Sequence, residues 1–443
     1  MEKDEILPED HSSKPQYTGR RLVMMESGAS YKNISDAADK VSLRLAFSSD
    51  FKDHEEDYAN AFHEADGIVF EKFGIAVIND HHEGEIGELT DAPLARRVFL
   101  YDEPERYLYA LNSNPLASMG KSIWDLICSI FGLRNDRNPI TDPGSPNPTP
   151  LPDSFSDDGD SYWGIQSVRV QNKGYSGKGV KLAILDTGIN EIHADFDGRG
   201  VVSKSFIADE KVNDLNGHGT HCTGIAAGYT RGDNGTRYGV ANKASIYVGK
   251  VLSNAGAGSD SGILAGMEWA MGSGCKIISM SLGASIRPGH AYSRIYNDIA
   301  KIALDQGTLI IAAAGNDSRR SQKIIQAVNH PANCPNIMAV AAIDRFLKIA
   351  DFSCGSVNKD SGQVVDIAGP GVAVFSSYKS PENYASVSGT SMATPFVAGV
   401  AALLWEIHPK ATPYEIWDML KEQARRLAES SDDVGAGLVQ VPQ

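Results

Sequence analysis

The chain is predicted to be an α/β protein with a mostly parallel central sheet covered on both faces, preceded by a smaller α+β unit. Two observations carry that prediction. After Tyr162, short unbroken apolar runs alternate with helical patterns, as parallel strands buried on both faces require. Before it, residues 135–160 carry prolines at 139, 143, 146, 148, 150 and 152, then Asp153, Asp157, Asp158 and Asp160. Such a stretch buries too little apolar surface to order itself and reads as an acidic, Pro-rich linker. At 443 residues the chain exceeds one ordinary core, which fits two units.

Residues 1–20 are polar and are expected to be a flexible terminus. Residues 21–111 read as the small unit. Strands are expected at 21–25, 67–70 and 74–78, helices around 34–41 and 84–94, and strand-like runs at 97–101 and 103–111. Within 112–134, Ile123, Trp124, Ile127, Ile130 and Phe131 recur at helical spacing. They predict an amphipathic helix docked on a neighbouring domain, with no basic cluster to hold it on a membrane. The unit 161–443 then shows strands at 180–185, 245–251, 276–281, 308–314 and 337–342, with helices through 263–271 and 292–306. The run 396–404 carries no charge until Glu406 and reads as a helix buried on most sides.

The formal charge of −15 argues against nucleic-acid or anionic-membrane binding as the main activity, without choosing a function. No apolar run reaches the roughly 18 residues of a membrane span. Cys128, Cys222, Cys275, Cys334 and Cys354 are scattered, with no CxxC pair, and read as free thiols in a reducing compartment. The acidic start, Met1-Glu2-Lys3-Asp4-Glu5, is not a secretory signal, which favours a cytoplasmic location. A chain trimmed from a secreted precursor would look the same.

In parallel sheets, ligands sit beyond the carboxyl ends of the strands. Three polar residues fall there or in glycine-rich turns: Asp186 after strand 180–185, His218 in Asn216-Gly217-His218-Gly219-Thr220-His221, and Asn316 after Gly315. Asp186 and Asn316 could equally serve turns. His218 and His221 could suggest a metal pair, but the spacing is not H-E-x-x-H and no third ligand is near. Ser391, in Gly389-Thr390-Ser391-Met392-Ala393, stands where the buried helix begins, a place suited to an N-cap or a nucleophile.

The order Asp, His, Ser and the three surrounding stretches resemble the signatures of the subtilisin-type (subtilase) serine proteases. The resemblance runs from about residue 162 to 443 and implies a subtilisin-like three-layer sandwich acting as a serine endopeptidase. It implies that Ser391 attacks the peptide carbonyl, that His218 moves the proton, that Asp186 orients His218, and that Asn316 donates to the oxyanion. By motif, Ser281, Leu282 and Gly283 would pair with substrate backbone, and Gly256, Ala257 and Gly258 would form the second edge. Ala313, Ala314 and Gly315 would wall the primary pocket. Those small walls imply broad specificity with an apolar or aromatic preference, and Asn329 lies near the pocket floor. His221 takes a structural role and Cys222 that of a packed thiol. No cofactor is required for the chemistry. Structural calcium is common in the family, and Asp195 and Asp366 stand where relatives often carry a ligating carboxylate. The loop 229–238 departs from the usual calcium loop, so no metal ligands are assigned.

More faintly, residues 21–111 resemble the family's inhibitor-type propeptide, a small ferredoxin-like sheet with two helices. The clearest echo is Arg97-Val98-Phe99-Leu100-Tyr101-Asp102-Glu103-Pro104. This implies a self-inhibited zymogen whose partners are polypeptide substrates and, in cis, its own propeptide, with Tyr109-Ala110-Leu111 lying in the cleft. The alternative is a catalytically silent binding protein on a protease fold, which would not need all of Asp186, His218, Ser391 and Asn316. An esterase is disfavoured because no G-x-S-x-G elbow surrounds Ser391.

Overall fold

Seven strands, all parallel, form the central sheet in the order β14-β13-β12-β10-β6-β8-β7. They are β6 (Lys181–Asp186), β7 (Val202–Ser205), β8 (Ser245–Lys250), β10 (Ile277–Met280), β12 (Leu309–Ala313), β13 (Met338–Ile343) and β14 (Ile367–Pro370). The computed structural model describes residues 16–26, 29–51, 64–79, 98–111, 152–171, 174–230 and 235–442. Every residue of β10, β12 and β13 is buried, which is why these strands read as continuous apolar runs rather than alternating ones. The helices are α2 (His218–Ala227), α3 (Asp260–Gly272), α4 (Arg294–Asp305), α5 (Thr390–Ile407) and α6 (Pro413–Glu422). With the sheet they make the expected three-layer α/β sandwich. Helix α5 packs on β10, β12, β13 and β14 and against α2, and is buried from Thr390 to Trp405. Among the described residues it is the one helix long and apolar enough to cross a membrane, and its burial marks it as a core helix.

The N-terminal unit contains β1 (Tyr17–Met25), α1 (Tyr31–Lys40), β2 (Leu45–Phe47), β3 (Gly67–Phe70), β4 (Ile75–Asn79) and β5 (Phe99–Ala110). Its sheet runs β5-β1-β4-β3-β2 and is antiparallel except at β2–β3. Alternation along β1 divides its side chains between two cores. Val23 and Met25 join Ile34, Ala38 and Phe47 under α1, while Leu22 and Met24 join the core of the larger body. The unit is thus docked through one face of its sheet. Two short strands of the larger body, β9 (Ala257–Ser259) and β11 (Leu282–Gly283), extend this sheet by pairing with β5.

Several expectations need correction. Residues 17–20, expected to be flexible, belong to β1, because Tyr17 pairs with Arg106 and Arg20 with Asn79. The runs 97–101 and 103–111 are mostly one strand, β5, which passes through Pro104; the proline and the charged residues around it hid its continuity. Residues 152–160, expected as the linker's end, pack on the larger body. Phe155 is buried with its N–H on Arg345 O, and Asp157 accepts the Trp163 N–H at 2.8 Å. Asp157 and Asp158 serve as turn acceptors, Asp158 Oδ1 taking the N–H groups of Asp160 and Ser161, while all four aspartates of the run stay exposed. The expected helices at 84–94 and in 112–134, the linker 135–151 and residues 1–15 lie outside the described residues.

Candidate active site

Asp186 is the last residue of β6, and His218 opens α2 beside it. His218 Nδ1–H donates to Asp186 Oδ1 at 2.7 Å, and both side chains are buried. The turn before α2 needs Gly217 in the left-handed region (φ 99°), since a Cβ there would come within 2.6 Å of the Tyr378 ring. Asp214 ties this turn to β6: its carboxylate accepts Thr187 Oγ1 at 2.9 Å, Gly217 N at 2.8 Å, Thr220 N at 2.9 Å and Thr220 Oγ1 at 2.6 Å. Lys250, fully buried, donates to Thr187 O at 2.6 Å and Asn254 Oδ1 at 2.9 Å. Sequence reading passed over both residues. The available signal was an Asp just before Asn-Gly-His and a lysine ending an apolar strand.

Burial would lower the pKa of His218, but the adjacent Asp186 charge outweighs it and holds the imidazole well above its ordinary value. His221 behaves oppositely: burial pushes it down to about 3. It is therefore neutral, and its Nε2–H faces Val374 O and Ala385 O, each at 3.1 Å. Burial pushes the Cys222 thiol up. As a neutral group it donates to Ser391 O at 3.5 Å, packed rather than reactive.

Ser391 is the second residue of α5 and is fully buried. Its Oγ–H donates to Ser281 O at 3.0 Å, while His218 Nε2 has no hydrogen-bond partner. Asn316 follows Gly315, whose φ is 112°. The Asn316 Oδ1 accepts from Thr390 N and Thr390 Oγ1, each at 2.9 Å. That fixes the amide so that Nδ2 faces the cleft, where it donates to Leu111 O at 2.7 Å. Gly389 leaves room for the same carbonyl, since a Cβ there would lie 2.6 Å from Leu111 O.

The chain leading to Leu111 lies between two edges of the larger body. On one side, Leu108 pairs with Gly258 and Tyr109 with Ala257, and Ala110 N donates to Gly256 O at 2.9 Å. On the other, Tyr109 pairs with Gly283 and Ala110 with Leu282, and Leu111 N donates to Ser281 O at 3.3 Å. The Leu111 side chain enters the pocket beside Gly283, where an added Cβ would meet Leu111 Cδ1 at 3.1 Å and Asn329 Cβ at 3.4 Å. Gly315 rests on the Asn329 amide. Ala313 and Ala314 are buried, and Ala314 O accepts from the Asn329 N–H at 2.9 Å. Behind Asn329 stands Asp317, overlooked in the sequence, whose Oδ2 accepts from Asn329 Nδ2 and Ser285 Oγ, each at 2.8 Å.

Two carboxylates of β5 reach across to helix starts. Glu103 Oε1 accepts from Arg294 N at 2.8 Å at the head of α4. Glu105 Oε1 accepts from Ser261 N at 2.8 Å at the head of α3, and Glu105 Oε2 holds Thr18 and Arg20. Both anions complement a helix's positive end.

Calcium takes six to eight oxygens. The Asp195 carboxylate already accepts the hydroxyls of Tyr238 at 2.7 Å and Tyr384 at 3.0 Å. Asp366 accepts Ala339 N at 2.9 Å with Lys421 Nζ at 3.6 Å, and burial raises its pKa to about 6. Among the described residues, neither carboxylate belongs to a group of three or more His, Cys, Asp or Glu side chains placed to share an ion. Asp186, His218 and Cys222 bring ligand atoms within 4.8 Å of one another, but an ion there would have to break the Asp186–His218 hydrogen bond.

Residues 177–437 match the sequence pattern of the subtilase family, Peptidase S8. The chain is 37% identical over 279 residues to subtilisin DY of Bacillus licheniformis, across 62% of this chain and 94% of that protein. It is 40% identical over 281 residues to subtilisin Savinase of Lederbergia lenta, across 62% of this chain and 96% of that protein. Among solved structures it is similar to fervidolysin from Fervidobacterium pennivorans, a keratinolytic enzyme related to subtilisin. The TM-score is 0.67 at 22% identity, over 96% of this chain and 60% of that one, a likeness of fold.

Proposed function

The chain belongs to the subtilase family of serine peptidases, and from that premise we propose that it is a self-inhibited zymogen with Asp186, His218 and Ser391 as its triad. Ser391 Oγ attacks the carbonyl carbon of an extended polypeptide while His218 Nε2 takes its proton. His218 then protonates the leaving amine, and water hydrolyses the acyl-enzyme by the same route in reverse. Asp186 keeps the proton on Nδ1, so that Nε2 is the free base. Asn316 Nδ2 and the Ser391 N–H stabilise the oxyanion. The N-terminal unit, from β1 through β5, is the propeptide, and Leu111 is the residue cleaved.

One observation carries this reading: a main-chain ladder on both edges of the cleft ends with the Leu111 carbonyl on Asn316 Nδ2 at 2.7 Å. The ladder reads backbone, and the small-walled pocket around Leu111 supports an apolar residue before the cut, as expected for β-augmented substrates. Asp317 does not alter that preference, because its Oδ2 is taken up by two donors.

A catalytically silent binding protein draws on a different observation, the Ser391 Oγ–H on Ser281 O with His218 Nε2 unpartnered. The zymogen reading requires Oγ to leave Ser281 and take up Nε2. Labelling with phenylmethanesulfonyl fluoride separates the two. The full chain is expected to resist the reagent until its N-terminal unit is cleaved, then to be sulfonylated at Ser391 with loss of casein hydrolysis. A processed chain that neither cuts casein nor takes the label supports the silent reading.

A further inference from the structure

We propose that Asp260, backed by His330, is a specificity-determining residue of the cleft. It takes the main-chain N–H of the residue five positions before the cleaved one and favours a cationic side chain there. The inference rests on the reading of Leu111 as the cleaved residue. Upstream of Leu108, Tyr107 still pairs with Ser259 of β9. The next N–H, that of Arg106, leaves the main-chain ladder and donates to Asp260 Oδ2 at 2.8 Å.

Asp260 is fully buried, and its other oxygen faces His330 Nε2 at 3.2 Å. Burial alone would raise its pKa. The His330 hydrogen bond and the charge of Arg106 outweigh that, and the carboxyl stays below its ordinary range. His330 is held neutral by burial, with its ring edge-on to Tyr296 at 4.6 Å between centroids. Its Nδ1 has no partner, which leaves Nε2 to carry the proton toward Asp260. The loop that holds His330 also carries Asn329 of the primary pocket, and His330 O accepts from Ala284 N at 2.8 Å.

The Arg106 guanidinium stays in the field of this carboxylate. Its Nη1 is buried without a hydrogen bond, 3.9 Å from Glu103 Oε2. Once the N-terminal unit departs, Asp260 Oδ2 loses its donor and the nearby cation. An ionised carboxylate at a cleft wall then selects for what it lost. It needs a main-chain N–H, which proline lacks, and it attracts a cation and repels an acid.

The test uses the full chain after it has processed itself, with fluorophore–quencher peptides copying residues 104–115. One peptide keeps Arg106, the others carry Arg106→Ala, Arg106→Glu or Arg106→Pro, and a short one copies 108–115. The Arg peptide is expected to exceed Arg106→Glu by about tenfold in kcat/KM, and Arg106→Ala to exceed Arg106→Pro by a similar factor. Asp260→Asn keeps an acceptor oxygen but not the charge, so the Arg/Glu ratio should fall toward one while the proline penalty stays. Equal rates for the Arg and Glu peptides, with 108–115 still cut, overturn the proposal while sparing the site. A ratio that persists in Asp260→Asn also overturns it, since the chain's overall negative charge would then be the cause. If no peptide is cut, 108–115 included, the reading of the site fails and this inference with it. Where Asp260→Asn does not fold, the same charge change one position on, Tyr107→Arg against Tyr107→Glu in the peptide, takes its place: an equal preference there assigns the effect to the chain's overall charge and overturns the proposal.

Discussion

Replacing Glu105 by alanine is expected to release the N-terminal unit's grip on the cleft. Glu105 is completely buried, and its oxygens serve Ser261 N across the interface and Thr18 and Arg20 within its own unit. Removing one member of a buried charge pair costs about 3–5 kcal/mol in all. Part of that is lost inside the N-terminal unit, where Arg20 would be stranded. The share across the interface is one charge-assisted bond, about 1.5–3 kcal/mol, plus up to about 1 kcal/mol from the α3 helix end. A weakening of about 1.5–4 kcal/mol makes escape from inhibition about 10- to 700-fold easier. The assay is the lag before the full chain hydrolyses a quenched peptide, compared among the parent, Glu105→Ala and Glu105→Gln. Glutamine keeps an acceptor for Ser261 and should shorten the lag least. Melting of the Ser391→Ala chain with and without Glu105→Ala checks that the N-terminal unit stays folded. A lag in Glu105→Ala equal to the parent's refutes the reasoning.

Other consequences are sharper still at the chemical step. Asn316→Ala removes a donor aimed at the Leu111 carbonyl. Loss of such a donor in a subtilisin costs roughly 2.7–4 kcal/mol, so kcat should fall about 10²–10³-fold with little change in KM. An unchanged kcat would remove Asn316 from the oxyanion site. His218 must be neutral to act as a base, and Asp186 holds its pKa well above 6.5. Activity is therefore present above that raised pKa and lost as pH falls through it, so the acid limb of kcat/KM should lie above 6.5. Asp186→Asn should move the limb down and cost about 10⁴ in kcat. A parent limb at or below 6.5 would mean that burial, not Asp186, governs His218.

Much of the larger body was legible because burial on both faces writes itself into composition. The runs 180–185, 276–281, 308–314 and 337–342 correspond to β6, β10, β12 and β13 within a residue or two at each end. Strand β14 was missed because Ile367-Ala368-Gly369-Pro370 is short and ends in turn residues. Strand β7 is exposed at Val202 and carries Lys204, so it gives no apolar run. Asp186, His218, Asn316 and Ser391 were readable because each sits beside glycine or small residues at an element's end. Their supports were not. Asp214, Lys250, Asp260 and Glu105 are buried charges that each have a partner 27 to 156 positions away, and no local pattern reports such pairings. The placement of Leu111 was foreseeable only through the likeness of its unit to a propeptide.

Intact mass of the purified full chain over time, beside Ser391→Ala, tests the central claim most directly. The account predicts that the parent splits after Leu111 while Ser391→Ala persists as a single 47.6 kDa species. If both chains remain whole and inactive toward peptides, or both are cut alike, Ser391 is not the nucleophile and the claim fails.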